Sequence, residues 1–178
     1  MAKTMISNNF TLILRISIAS IWLYAGILQK LLNPAFLNPS SEQYVGFTIQ
    51  YLSQGSIIRQ FLYIVAMPHP VLVGTLVMIG EISFGILTLI GLMSRLCSVV
   101  AFYTNLIYFL SASWTGAEEY GLNLLMMIIN AYIIAYGPGI YSIDSLVSRK
   151  VNVVNNKIIW IIVGSAIYVA IIVYLILV

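Results

Sequence analysis

Five long apolar runs account for most of this chain, and each is long enough to cross a lipid bilayer. A spanning α-helix needs about 20 mostly apolar residues. The chain is 61% hydrophobic and only 7% charged, whereas a soluble domain is about one quarter charged. We therefore predict an all-α integral membrane protein. The predicted spans are Phe10–Leu31, Pro70–Met93, Leu96–Trp114, Tyr120–Gly137 and Ile158–Val178.

The chain of 178 residues leaves room for one compact bundle with short connections, so we predict a single membrane domain over residues 1–178. Residues 10–140 should form four antiparallel spans, 141–157 a polar cytoplasmic linker, and 158–178 an additional transmembrane helix. The fifth span is almost wholly aliphatic, so we expect it at the periphery of the four-helix bundle, against lipid or a partner subunit. The first span offers no small-x-small cleavage site, so we do not expect a cleaved signal peptide.

Basic residues are distributed unequally between the two ends of the predicted spans. Only Lys30 and Arg59, of the eight basic residues, fall at the end that also carries Glu42, Glu118 and Glu119. The positive-inside rule therefore predicts a cytoplasmic N-terminus and an extracytoplasmic C-terminus. The basic residues at the predicted cytoplasmic end are Lys3, Arg15, Arg95, Arg149, Lys150 and Lys157.

The connection between the first two spans is the only long extramembrane segment. The first span should stop before Pro34, because the residue before a proline is pushed out of the helical region. Beyond it, apolar residues recur at helical spacing among glutamines, which predicts an amphipathic helix capped by Ser41 and lying within Ser41–Met67. We expect this helix at the extracytoplasmic surface, close to Lys30, Trp114 and Glu118.

Polar side chains inside the apolar spans carry the functional signal, because each is costly in lipid unless it is paired or solvated. Spacings of three and four place them on one face of each span, so the four faces can converge on one interior site. A lone buried charge is too costly, so Glu81 and Arg15 should approach each other, directly or through an asparagine or water. The other interior candidates are Trp22, Asn105, Tyr108, Asn123 and Asn130.

A purely structural interpretation of these residues stays open. Membrane bundles use asparagine and small residues as contacts between helices, and an Arg15–Glu81 pair could serve packing alone. Lys30 and Arg95, at helix ends, could be anchors at the membrane interface.

The chain has few residues that could hold a resident cofactor. Cys97 is the single cysteine and His69 the single histidine, which excludes an internal disulfide, a CxxC pair, an iron–sulfur ligand set and bis-histidine haem ligation within the chain. No haem, metal or flavin ligands are evident. Any redox cofactor should therefore be diffusible or belong to a partner.

The order of the interior residues resembles the DoxX/DoxD family. The first span ends in Gly-x-x-x-Lys at Gly26–Lys30, and the second reads Gly-Glu-x-x-x-Gly-x-x-x-x-x-Gly-Leu-x-x-Arg over Gly80–Arg95. The resemblance covers roughly Ile13–Tyr136. The long first loop and the fifth span are more similar to DoxD than to the shorter bacterial DoxX proteins.

The resemblance implies a membrane subunit of thiosulfate:quinone oxidoreductase, an enzyme of archaeal sulfur metabolism. That enzyme joins two thiosulfates into tetrathionate and passes the electrons to a membrane quinone, of caldariella type in such archaea. A DoxA-like subunit would be the partner, with terminal quinol oxidase subunits of the respiratory chain as further partners.

In that setting the chemistry of the reaction assigns roles to the candidates. Glu81 and Arg15 become the catalytic candidates, since quinone reduction takes up protons, and a thiosulfate dianion needs cations, here Lys30, Arg59 and Arg95. The candidates for quinone binding or the polar interior are Trp22, Tyr24, Asn105, Tyr108, Asn123 and Asn130.

A second function class competes with the first. The chain could be a non-catalytic structural or assembly subunit of a terminal quinol oxidase complex, with the fifth span as its docking helix. A bound quinone in the interior would favour the catalytic interpretation, and a salt-bridged, lipid-filled interior the structural one. A transporter is poorly supported, because the chain shows no inverted repeat.

Overall fold

The computed structural model describes residues 2–148 and 151–178, and this part of the chain contains helices and no strands. Five helices are long and apolar enough to cross a membrane, which confirms the predicted helical membrane fold. Two of the basic residues used for orientation, Arg149 and Lys150, lie outside the described residues. The five spans are Asn9–Leu31, Pro70–Ile90, Ser94–Ala112, Ala117–Tyr136 and Lys157–Leu177.

Eight α-helices, some extended by short π or 3-10 stretches, make up the described chain. Helix α1 is Ala2–Leu23, and a π-helical stretch, Tyr24–Leu31, continues it to the end of the first span. The connection holds α2 (Val45–Gly55) and α3 (Arg59–Phe61), with a π turn at Leu62–Ala66. The remaining elements are α4 (Pro70–Ile90), α5 (Ser94–Ala112), α6 (Ala117–Tyr136), α7 (Ile143–Val147), a 3-10 turn (Asn152–Asn155) and α8 (Lys157–Leu177).

Helices α1, α4, α5 and α6 form the bundle. The strongest contacts join α1 to α4 and α5 to α6, and further contacts join α4 to α5 and α1 to α6. A left-handed Gly91 ends α4, where the Leu92 amide donates to the Leu87 carbonyl at 3.0 Å, so the chain reverses at once into α5. The bundle core consists of Ile18, Trp22, Phe84, Cys97, Ala101, Met126, Ile129 and Ile133.

Helix α8 lies outside the four-helix bundle and packs mainly on α5, as the sequence predicts. Gly164 allows the close approach, since a Cβ there would lie 2.7 Å from Val99 Cγ1. The Tyr103 and Ser165 hydroxyls share a hydrogen bond of 2.9 Å. Only Gly164 and Leu175 of this helix are buried, which leaves the rest of α8 to lipid or a partner.

The helix of the first connection begins later than predicted. Ser41 does not cap it; its Oγ accepts from the Gln43 amide in a local turn at 3.2 Å, and α2 starts at Val45. The predicted proximity to Trp114 is confirmed, because Trp114 Nε1 donates to the Leu52 carbonyl at 3.1 Å. The connection therefore folds over the end of the bundle where α4 begins. We call this the loop end, and the opposite one, where α1 carries Arg15, the Arg15 end.

Candidate functional site

A buried ion pair between α1 and α4 is the chemical centre of the molecule. Lys30 Nζ lies 2.6 Å from Glu81 Oε2, with side-chain exposures of 15% and 2%. The Tyr108 hydroxyl, from α5, donates to Glu81 Oε1 at 2.9 Å. Lys30 Nζ also lies 3.4 Å from the Ala25 carbonyl. Each carboxylate oxygen of Glu81 therefore has its own partner from a different helix.

Helix direction explains why these three side chains meet. Side chains on a helix lean toward its N-terminus, so Glu81 on α4 leans toward the loop end, whereas Lys30 and Tyr108, on helices running the opposite way, lean toward the Arg15 end. The backbones approach closely, since a Cβ on Gly26 would lie 2.9 Å from Ile82 N and 3.1 Å from Glu81 Cβ. Lys30, one turn beyond Gly26, reaches back to the carboxylate.

The expected approach of Arg15 to Glu81 is wrong. The Gly26 backbone lies beside Glu81, and Arg15 is eleven positions earlier on the same span, a rise of about 16 Å. Its side chain also leans away from Glu81, toward the Arg15 end.

Arg15 instead binds backbone carbonyls at the Arg15 end. Its Nε donates to Thr88 at 2.9 Å and Nη2 to Leu89 at 2.7 Å, while Nη1 donates to Pro138 at 3.0 Å and Tyr141 at 2.7 Å. Residues Thr88 and Leu89 are in the last turn of α4, where a helix C-terminus leaves carbonyls free; the Thr88 carbonyl also accepts from the Gly91 amide at 3.3 Å. Arg15 is only 1% exposed and ties α1 and α4 to the chain after α6.

Asp144 and Arg95 fasten the same end of the bundle. The Asp144 carboxylate accepts from the Met93 and Ser94 amides, both at 2.8 Å, and so caps the start of α5. Arg95 Nε donates to the Ile134 carbonyl at 3.1 Å, and its Nη1 to the Asn155 carbonyl at 2.9 Å. Arg95 thereby joins α5 to α6 and to the linker before α8.

Several buried polar atoms of the interior have no hydrogen-bond partner among the described residues. They include Trp22 Nε1, Asn105 Oδ1 and Asn130 Nδ2, on side chains that are at most 2% exposed. An unpaired buried polar atom costs about 1–3 kcal/mol, so a hydrogen bond to a bound water molecule or ligand would stabilise this interior. The serine hydroxyls in the same condition are those of Ser94, Ser98 and Ser111.

One of the predicted interior residues, Tyr24, lies outside the interior, whereas Asn123 is buried. Tyr24 is 56% exposed and lies on the outer surface of the bundle, because it is two positions after the buried Trp22 and therefore on the opposite side of the helix. Asn123 is buried, and its Nδ2 donates to the Glu119 carbonyl of its own helix at 2.8 Å. Trp22, by contrast, packs edge-on against Phe84 with ring centroids 5.3 Å apart, inside the core.

A second positively charged site lies on the surface of the connection, at the loop end. Arg59, Gln60, Tyr63 and Ile64 line a shallow, open groove with a volume of about 440 Å³. The Arg59 guanidinium lies 5.4 Å from the centre of the Tyr63 ring. Hydrogen bonds with Ser53 and Arg59, and the positive charge of Arg59, lower the pKa of Tyr63 below its ordinary value, because each of them stabilises the phenolate.

The sequence pointed to the charged residues inside the spans but not to the residues that they contact. Lys30 was expected at the surface and Glu81 beside Arg15, because spacing gives the height of a residue but not the direction in which its side chain leans. Asp144 was not singled out, although it is the one acidic side chain in the linker that precedes α8. Within the described residues, no group of three His, Cys, Asp or Glu side chains could hold a metal.

The fold and the buried ion pair define a multi-pass helical membrane protein with a charged centre inside a four-helix bundle. The chain matches the DoxD family, described as the small subunit of thiosulfate:quinone oxidoreductase, over residues 10–178. It belongs to that family and is a membrane subunit of an oxidoreductase whose electron acceptor is a quinone. No curated protein and no solved structure matches it.

Proposed function

We propose that the Lys30–Glu81–Tyr108 group handles the protons of quinone reduction in this oxidoreductase. The supporting observation is a carboxylate, 1% exposed, held between an ammonium at 2.6 Å and a phenol at 2.9 Å. Two thiosulfates give one tetrathionate and two electrons, and a quinone takes those two electrons with two protons to become a quinol. Glu81 and Tyr108 can pass protons, and the Lys30 ammonium can stabilise a reduced, anionic quinone oxygen.

The quinone of this reaction would be of caldariella type, and the partner a DoxA-like subunit. A donor suited to a quinone oxygen is available in the core, because Asn130 Nδ2 has no partner within the described chain. It would donate to one quinone oxygen, and the Trp22 ring, which packs edge-on against Phe84, would border the quinone rather than stack on it. The bound quinone supplies the two-electron acceptor; the chain supplies protons, charge and orientation.

Glu81→Gln tests the proton role. The amide keeps the size of the carboxyl and can still accept from Tyr108, but it cannot carry a proton. We expect thiosulfate-dependent quinone reduction to fall by about 10²-fold, with assembly of the complex retained. Rates should be measured on the purified complex, with subunit content checked by gel. Glu118→Gln, in the first turn of α6, is the matched control. A full rate in a well-assembled Glu81→Gln complex would leave the ion pair a structural role only.

Arg59 is the proposed binding place for the sulfur oxyanion, provided that the oxidation is extracytoplasmic. Lys30, the other cation expected there, is already neutralised by Glu81. Arg95 is engaged with carbonyls at the opposite end. Arg59 is exposed and carries its charge at the open groove beside Gln60. A docked partner subunit would cover this surface, so partner binding and access of thiosulfate should be coupled there.

Arg59→Gln should raise the KM for thiosulfate several-fold while leaving the KM for quinone unchanged, because one charge contact is lost at the anion only. Steady-state kinetics with each substrate varied in turn would measure both constants. Lys157→Gln, at the start of α8, removes the same charge at the other end of the molecule and should change neither. An unchanged thiosulfate KM in Arg59→Gln would move the anion site to another subunit.

The Arg15 end is proposed to face the cytoplasm, which places the C-terminus outside. The support is the excess of basic residues at that end. Single cysteines introduced at Ser7 and Val178, in a Cys97→Ser background, should react with a membrane-impermeant maleimide from opposite faces of sealed cells. If both cysteines react from the same face, the number of spans is even, which would contradict the five spans as well as this orientation.

A non-catalytic assembly role, for example within a terminal quinol oxidase complex, is the second candidate. The observation in its favour is α8, which packs outside the bundle and leaves most of its surface uncovered. Deletion of residues 157–178 separates the two functions. Loss of partner subunits from the purified complex indicates assembly, and loss of rate in an intact complex indicates catalysis.

A further inference from the structure

A row of buried or partly buried polar side chains follows one face of α5 from Ser94 to Tyr108. Its members are three, four or seven positions apart, which keeps them on the same side of a helix. Tyr108 belongs to the row and donates to Glu81. The other members are at most 1% exposed. They are Ser94, Ser98 and Asn105. Ser111, three positions after Tyr108, lies about 100° from Ser94 around the helix axis.

The row differs from ordinary hydroxyl groups in membrane helices. Beyond the first turn of a helix, a serine or threonine hydroxyl can donate to the carbonyl four positions earlier; Ser94, at the start of α5, has no such carbonyl. Thr104 donates in this way to Val100 at 3.1 Å, and Ser20 to Ile16 at 2.8 Å. The hydroxyls of Ser94, Ser98 and Ser111 have no such partner in the described structure, and neither does Asn105 Oδ1. These atoms face the bundle interior with their hydrogen-bonding capacity unused.

Helices α1 and α6 also contribute buried polar atoms that have no hydrogen-bond partner in the described part of the chain. Trp22 Nε1, from α1, and Asn130 Nδ2, from α6, also lack partners within the described residues. Trp22 packs in one core cluster with Ala101, which lies on α5 between Ser98 and Asn105. Ser98 and Asn105 are seven positions apart, about 10 Å along the helix. About four hydrogen-bonded steps of 2.8 Å would cross that gap, and Trp22 of α1 packs beside it.

The row has a direction. Ser94 begins it at the Arg15 end, where its amide is bound by the carboxylate of Asp144. Tyr108 brings it to Glu81. Asn130 lies in the second half of α6, so the unpartnered atom from that helix is also in the Arg15 half of the bundle. Ser111 alone lies beyond Tyr108, toward the loop end.

We propose that this polar row carries protons, through a file of bound water, from the aqueous phase at the Arg15 end to Glu81. The proposal rests on the proton role proposed for Glu81 and adds where the protons come from. Two protons per quinone would pass Ser94, Ser98, Asn105 and Tyr108 to Glu81, and from Glu81 they would reach the two quinone oxygens. The electrons come from thiosulfate and do not use this route.

Proteoliposomes containing the assembled complex would test the sidedness. Orientation is fixed first by labelling a cysteine placed at Val178, and a pH-sensitive dye is enclosed in the lumen. Thiosulfate-driven quinone reduction should then make the compartment at the Arg15 end alkaline, with two protons consumed per quinone. Alkalinisation of the compartment at the loop end would overturn the proposal.

Asn105→Leu, which has nearly the same volume and no hydrogen-bonding atom, should slow quinone reduction by about tenfold or more. Thr104→Val is the matched control, because it removes a hydroxyl from another face of α5 and should keep the wild-type rate. If Glu81→Gln is inactive and Asn105→Leu runs at the wild-type rate, the route is wrong while the role of Glu81 stands. If Glu81→Gln is fully active, the proposed function itself fails.

A measurement without turnover keeps the route testable should Asn105→Leu assemble poorly. The chain has three tryptophans, and the indole groups of Trp114 and Trp160 donate to backbone carbonyls. Water beside Trp22 should exchange its indole proton for deuterium at least as fast as theirs in NMR spectra of the full chain in detergent. Ser98→Val, with the route interrupted near its start, should slow that exchange severalfold. Exchange at Trp22 far slower than at the other two would show a dry core and overturn the proposal.

Discussion

Arg15→Met should lower the thermal stability of the protein by about 10 °C, and this is the largest stability effect that we expect from a single substitution. The guanidinium makes four hydrogen bonds of 2.7 to 3.0 Å to carbonyls of α4 and of the chain after α6. Methionine fills nearly the same space but removes these hydrogen bonds, and of the four carbonyls the one of Thr88 keeps its backbone donor, the Gly91 amide. Removing one partner from a buried charged network costs about 3–5 kcal/mol.

Unfolding temperatures of the detergent-solubilised chain, followed by circular dichroism, would measure the effect. Arg15→Lys is the informative control. It keeps the charge but cannot reach carbonyls on three sides with a planar fork, so its loss should be intermediate. Lys157→Met, exposed at the start of α8, should change little. An Arg15→Met variant that unfolds at the wild-type temperature would contradict the role of Arg15 as the fastener of this end.

The same series separates stability from catalysis at Arg15. The structure places its side chain on backbone carbonyls at the Arg15 end, away from Glu81. We therefore expect Arg15→Lys to keep the turnover rate of the wild type at temperatures where the variant is folded. A folded Arg15→Lys complex with a strongly reduced rate would restore a catalytic role to this residue.

Lys30→Met should destabilise the protein more than removal of both members of the ion pair. The single substitution leaves the 2% exposed Glu81 carboxylate without its cation, which costs about 3–5 kcal/mol. In the double variant Lys30→Met, Glu81→Leu, neither charge remains to be desolvated, and a buried pair replaced by apolar groups is often neutral or stabilising. We expect the double variant to recover most of the stability lost in Lys30→Met.

A double-mutant cycle on purified chains, with unfolding temperatures for the wild type, both single variants and the double variant, gives the coupling. Additive effects would contradict a direct Lys30–Glu81 interaction. Activity adds a second readout, because the double variant should be stable and inactive if Glu81 handles protons. A stable double variant with a full rate would make the pair dispensable for both folding and function.

The number of spans and their order were determined by the sequence alone. A run such as residues 158–178 can exist only as a membrane helix or in a core larger than this chain could build, so composition decided the fold class before any packing was known. The peripheral position of α8 followed from the same cause, since a helix that is aliphatic on all sides offers no polar face to a charged interior. The charged and polar residues of the interior could be picked out from the sequence, because a polar group inside an apolar span is conspicuous.

The pairing of those residues was decided by the tertiary structure. Spacing along a helix gives the depth of a residue in the membrane, and depth alone predicts that Arg15 and Glu81 meet. Lys30 is the partner instead because side chains lean toward helix N-termini and because Gly26 lets α1 touch α4 beside Glu81. Asp144 reaches the start of α5 from a linker about fifty residues away. Contacts of that separation depend on how the helices pack, and hydrophobic pattern carries no information about them.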